Sequence, residues 1–94
     1  MENTYCVHLI IEGRVQGVSY RAFTQRAAKR LGINGWVRNL NNGHVEAVIS
    51  GAQHSMDKML GELHKGPLAA RVDNITISEY NLPIEQGFNR LDSV

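Results

Sequence analysis

The chain carries one cysteine, and no stretch of it approaches the ~18 consecutive apolar residues that a membrane-crossing helix requires. Cys6 alone excludes an internal disulfide and a thiolate metal cluster, and it reads as a small strand residue. The opening MENTYCVHLI lacks the cationic start, apolar core and small-residue cleavage site of a secretory leader, so a cytoplasmic protein without membrane contact is the expectation. The histidines His8, His44, His54 and His64 are not at ligand spacings such as i, i+4, and no carboxylate pair accompanies them, so neither a metal nor another cofactor is expected. From Gly13 to Val45 there is no acidic residue at all. Arg14, Arg21, Arg26, Lys29, Arg30 and Arg38 fall within that stretch, which therefore carries +6 in a chain of net charge +1. From Glu46 onward the sign reverses, with four basic side chains against seven acidic ones. A local excess of this kind concentrates anionic ligands near one region.

What is present fits one small domain spanning 1–94, with 43% apolar and 20% charged residues. Tyr5, Val7, Leu9 and Ile11 alternate with Cys6, His8, Ile10 and Glu12, the period of a strand, and Ile10 on the second face suggests a central one. Phe23, Ala27 and Leu31 then recur every four residues beside Ala28, with Gly32 placed to cap a helix. GWVRNLNNGHVEAVISG reads as a hairpin turning at Asn42-Gly43, two residues that tolerate positive φ. A second helix is predicted from Met56, Met59, Leu60 and Leu63, with Asp57 near its start and Gly66-Pro67 at its end. Strand character returns from Val72 to Tyr80, but Val72 is out of phase with Ile75 and Ile77, which predicts a bulge near Asp73. A weaker strand surrounds Phe88. The order β-α-β-β-α-β with a short tail strand is the ferredoxin-like split βαβ arrangement of the α+β class, two helices on one face of an antiparallel or mixed sheet. That topology hosts many unrelated functions and licenses none by itself.

The informative loop is GRVQGVSYR, Gly13 to Arg21, between the first strand and the first helix. A helix start offers unpaired N–H groups and the positive end of the helix dipole, a site for an anion. Gly13 and Gly17 allow the backbone to curl so that consecutive N–H groups converge, and Arg21 adds a forked guanidinium suited to two phosphate oxygens. The loop lacks the lysine-serine pair of a nucleotide site, and Val15 stands where a Cys-x5-Arg phosphatase would carry its thiolate. Ser19 and Tyr20 have hydroxyls but no evident partner base. A site with donors but no acid, base or metal can still assist phosphoryl transfer by positioning and charge stabilisation, provided the leaving group is good. A carboxylate, whose conjugate acid has a pKa of roughly 4 to 5, leaves without protonation, which points to a carboxylic-phosphoric anhydride attacked by water.

IEGRVQGVSYR (Ile11 to Arg21) and GWVRNLNNGHVEAVISG (Gly35 to Gly51) resemble the two signature segments of acylphosphatases, with Tyr20 where the first usually has Phe. The resemblance covers nearly the whole chain and implies metal-free hydrolysis of acyl phosphates to a carboxylate and inorganic phosphate. It matches Arg21 to the family's phosphate-binding arginine and Asn39 to the asparagine that holds the attacking water. It matches the backbone of Val15, Gln16, Gly17, Val18, Ser19 and Tyr20 to the phosphate cradle. A neutral amide suits the role of Asn39, because it offers a donor and an acceptor without competing for the anion by charge. Arg38, its neighbour, should face the opposite side of the sheet and contribute steering charge only. One departure concerns the tail: GFNRLDSV puts Arg90 where the family's aromatic-x-aliphatic strand has the aliphatic residue, a change read as bearing on stability.

The alternative is a catalytically silent phosphate- or anion-binding regulatory domain of the same fold. An RNA-binding sheet would need stacking aromatics on its central strands, which HVEAVISG lacks, so no nucleic acid is expected. The expected partners are a small acyl phosphate and inorganic phosphate, bound by a monomer.

Overall fold

Alternation in the first strand is carried further than its apolar residues. A computed structural model of the chain describes residues 4–94, and there β1 spans Thr4–Arg14, taking in Gly13 and Arg14. It is followed by α1 (Tyr20–Leu31), β2 (Asn34–Asn39), β3 (Val45–Ala52), α2 (Gln53–Lys65), β4 (Arg71–Glu79) and β5 (Phe88–Arg90). The sheet order is β4-β1-β3-β2-β5. β1 is an interior strand, antiparallel to both β3 and β4, as Ile10 on its second face suggested. β5 runs parallel to β2, which makes the sheet mixed. Leu9, Ile11, Val37, Val45, Ala47 and Ile49 meet Ala27, Ala28, Met56, Met59 and Leu63 in one buried core beneath the two helices. No helix among the described residues is long and apolar enough to cross a membrane.

The buried stripe of α1 differs from the predicted one. Tyr20, Thr24, Ala27 and Ala28 are buried, while Phe23 and Leu31 are only half-buried. Thr24 is tolerated inside because its hydroxyl donates to the Tyr20 carbonyl one turn back, at 2.8 Å. Gly32, in the left-handed region at φ 69°, ends the helix as expected. α2 begins at Gln53, so Asp57 falls in the second turn, where it accepts a hydrogen bond from the Gln53 amide at 2.8 Å.

The predicted bulge is formed. Glu12 pairs with Asn74 but Gly13 pairs with Val72, which leaves Asp73 over as the extra residue of β4. Gly13 therefore serves as a strand residue against the bulge, not as part of the loop's curl. A Cβ there would lie 2.1 Å from the Arg71 carbonyl oxygen, and its φ is 133°. The β2–β3 hairpin turns over residues 40–44, a longer loop than a two-residue turn. Only Gly43 uses positive φ, at 94°, and the Asn42 side chain accepts a hydrogen bond from His44 N–H at 3.0 Å. The tail strand is anchored by buried Phe88, whose carbonyl accepts a hydrogen bond from the Gln25 amide of α1 at 3.0 Å. Pairing with β2 continues past it, through Leu91 N–H to the Val37 carbonyl at 2.9 Å and Val94 N–H to the Asn39 carbonyl at 3.1 Å.

Candidate active site

The loop between β1 and α1 meets the end of β2 around one open pocket of about 410 Å³. Its lining comprises Val15, Gln16, Gly17, Ser19, Tyr20, Arg21, Ala22, Asn39 and Arg90. Of the residues singled out from sequence, Arg21, Asn39 and five of the six cradle residues are thus brought together. Val18 does not reach the lining, and its half-buried side chain packs against the core. Ala22 and Arg90 were not anticipated.

The backbone at this end of the sheet leaves a set of donors facing the pocket. Gly17 has φ 72° and Ser19, the residue before α1, has φ 66°, an uncommon conformation for a residue with a Cβ. The Ser19 side chain makes no capping hydrogen bond. The first helical bond is Phe23 N–H to the Ser19 carbonyl at 3.0 Å. Among the described residues, the N–H groups from Gly17 to Ala22 have no protein acceptor. The first turn of α1 holds no acidic residue, and no carboxylate lines the pocket. The helix dipole and two guanidiniums, Arg21 half-buried and Arg90 exposed, therefore act on it without local compensation.

The loop is held in place by side chains. The Gln16 amide donates to the Leu40 carbonyl at 2.7 Å and to the His44 carbonyl at 2.8 Å. Both acceptors belong to the hairpin loop that begins just after Asn39, so one side chain links the cradle to the element bearing Asn39. The sequence marked Gln16 only as a backbone donor, because nothing local shows which chain segment an amide will meet. Beneath the pocket, the Tyr20 hydroxyl donates to the Leu63 carbonyl at 2.7 Å, and burial pushes the phenol's pKa above its ordinary range. The phenol is thus committed to α2 and is no proton donor to the pocket.

Arg38 projects from the other face of the sheet, as alternation with Val37 and Asn39 requires. It lies 5.0 Å over the Trp36 ring, and its Nε donates to Glu46 at 2.6 Å. His8 meets the other Glu46 oxygen at 2.7 Å. Burial pushes the Glu46 carboxyl up, but the bonds from His8 and Arg38 outweigh it, and the carboxyl stays below its usual pKa. Arg38 is therefore a paired charge, and its steering effect is reduced accordingly. Among the described residues no group of three or more His, Cys, Asp or Glu side chains could hold a metal ion.

Residues 7–90 match the family model for acylphosphatase. An acylphosphatase of Acidovorax sp. is 45% identical over 93% of this chain and 90% of its own length. One from Methanothrix thermoacetophila is 47% identical over 81% of this chain and 84% of its own. The solved structure of an acylphosphatase from Coxiella burnetii superposes with a TM-score of 0.89 at 34% identity, covering 95% of this chain and 94% of that one. With the family's model matched across both signature segments and its fold reproduced over nearly the whole length, the chain belongs to the acylphosphatase family.

Proposed function

We propose a division of labour for the hydrolysis of acyl phosphates that this enzyme carries out. The phosphoryl group lies against the N–H groups of the Val15–Tyr20 loop and the start of α1, and the Arg21 fork neutralises two of its oxygens. Asn39 aligns a water for in-line attack at phosphorus. The water oxygen forms the new P–O bond as the bond to the acyl oxygen breaks, and the carboxylate leaves with the electron pair. The water's proton passes to a phosphate oxygen of the substrate, giving inorganic phosphate. The carboxylate leaves unprotonated, so the site needs no general acid. In this reading the enzyme acts as a cytoplasmic monomer, without metal and without nucleic acid.

The observation that carries the proposal is that Arg21 and Asn39, 18 positions apart and on different elements, line one pocket together with N–H groups that have no protein acceptor. A silent anion-binding domain would account for Arg21 and the loop, but it gives Asn39 nothing to do. Hydrolysis of benzoyl phosphate in the presence of a chelator tests the reading, with undiminished turnover expected. Loss of activity on chelation would refute the metal-free route. Phosphate binding without turnover would establish the silent domain instead.

A further inference from the structure

The pocket is larger than a phosphoryl group needs, and its second cation is unaccounted for by the chemistry above. Arg90 sits in β5 opposite Val37, two residues before Asn39 on the neighbouring strand. Alternation puts its side chain on the same side as the buried Phe88, the side that carries the helices, and it lines the pocket with Arg21 and Asn39. It is exposed, and among the described residues no carboxylate pairs with it, in contrast to Arg38 on Glu46 and Arg71 on Asp73. The loop N–H groups and Arg21 already face the phosphoryl end. At about 410 Å³ the pocket has room for an acyl group beside it.

We propose that Arg90 is a specificity residue that reads a second anionic group on the acyl part of the substrate, so that the enzyme favours acyl phosphates bearing an additional carboxylate or phosphate. The proposal rests on the hydrolytic reading above and deepens it. A guanidinium at the pocket's edge gives such a substrate a charge-assisted contact that a neutral acyl chain cannot make. Because Arg90 is exposed, the contact is screened, so the preference weakens as ionic strength rises.

The test compares kcat/KM for benzoyl phosphate with that for 3-carboxybenzoyl and 3-phosphonobenzoyl phosphate, which have closely similar leaving groups but add a carboxylate or a phosphonate. The wild type is expected to favour at least one charged substrate by about three- to tenfold, the range between an exposed ion pair and a charge-assisted hydrogen bond. Whichever is favoured more identifies the second anion. Arg90→Leu should abolish that preference, and Arg90→Lys, whose ammonium keeps the charge but not the fork, should retain part of it. A wild type indifferent to the added charge, a preference that survives Arg90→Leu, or an equal fall for charged and neutral substrates would each overturn the inference while leaving the hydrolytic reading intact. A wild type that turns over none of the three would refute that reading and this inference together.

Discussion

Replacing Gln16 by alanine tests whether the β1–α1 loop and the strand that carries Asn39 are held in register by one side chain. The substitution removes two donors at 2.7 and 2.8 Å and leaves the Leu40 and His44 carbonyls without them in a half-buried setting. At about 0.5–1.5 kcal/mol net for each bond, the loss amounts to about 1–3 kcal/mol of stability. For a domain of this size that corresponds to a fall in Tm on the order of 10 °C. Freed from the hairpin, the loop also no longer fixes the bound phosphoryl group relative to Asn39. Misplacement by a fraction of an ångström to 1 Å should lower kcat by about tenfold to a hundredfold. Urea unfolding gives the first quantity, and initial rates on benzoyl phosphate, measured well below the unfolding temperature, give the second. Gln16→Glu sharpens the comparison, because an isosteric carboxylate would point its oxygens at two carbonyls. Unchanged kcat in a Gln16→Ala protein that is folded but destabilised would refute the registration argument, and unchanged stability would refute the hydrogen-bond accounting.

Three further outcomes are expected. Asn39→Ala should lower kcat by about a hundredfold while inorganic phosphate still inhibits, whereas Arg21→Lys should weaken phosphate inhibition and turnover together; the reverse pattern in inhibition assays would mean that the two roles have been exchanged. Glu46 is lowered in pKa in the folded state, so its contribution is present above its ordinary value of 4.5 and is lost as pH falls through the folded value. Glu46→Gln should therefore cost on the order of 2 kcal/mol at pH 7 in denaturant unfolding, and the gap to wild type should narrow at acid pH. Gly13→Ala places a Cβ 2.1 Å from one backbone atom and 2.9 Å from another, at φ 133°, so destabilisation of about 2–5 kcal/mol is expected from thermal melts.

Much of the fold was legible because the features that define it are local. The alternation of β1, the glycines after both helices and the out-of-phase Val72 each report on a backbone a few residues long, and the structure places strand, caps and bulge there. The buried stripe of α1 was misread because Thr24 looks polar in sequence, yet its hydroxyl is satisfied by its own helix. The gathering of Arg21 and Asn39 was legible only through the resemblance of two segments to a known family, since nothing in their spacing says that loop and strand end meet. Arg90 was invisible as a pocket residue for a related reason. A three-residue strand takes its register from pairing with β2, 53 positions earlier in the chain, and one arginine in a weak pattern carries no trace of that partner.

The bulge at Asp73 has a consequence for how molecules of this enzyme meet one another. β4 is an edge strand, and a long flat edge would offer unpaired N–H and carbonyl groups to a second copy. The extra residue kinks that edge near its start, and Arg71, Asp73 and Asn74 are exposed beside it, with Arg71 and Asp73 paired at 2.9 Å. A strand approaching from solvent meets a break in the ladder and a pair of charges that would have to be desolvated. The same irregularity that admits Gly13 beside β4 thus also guards the sheet against strand-to-strand growth.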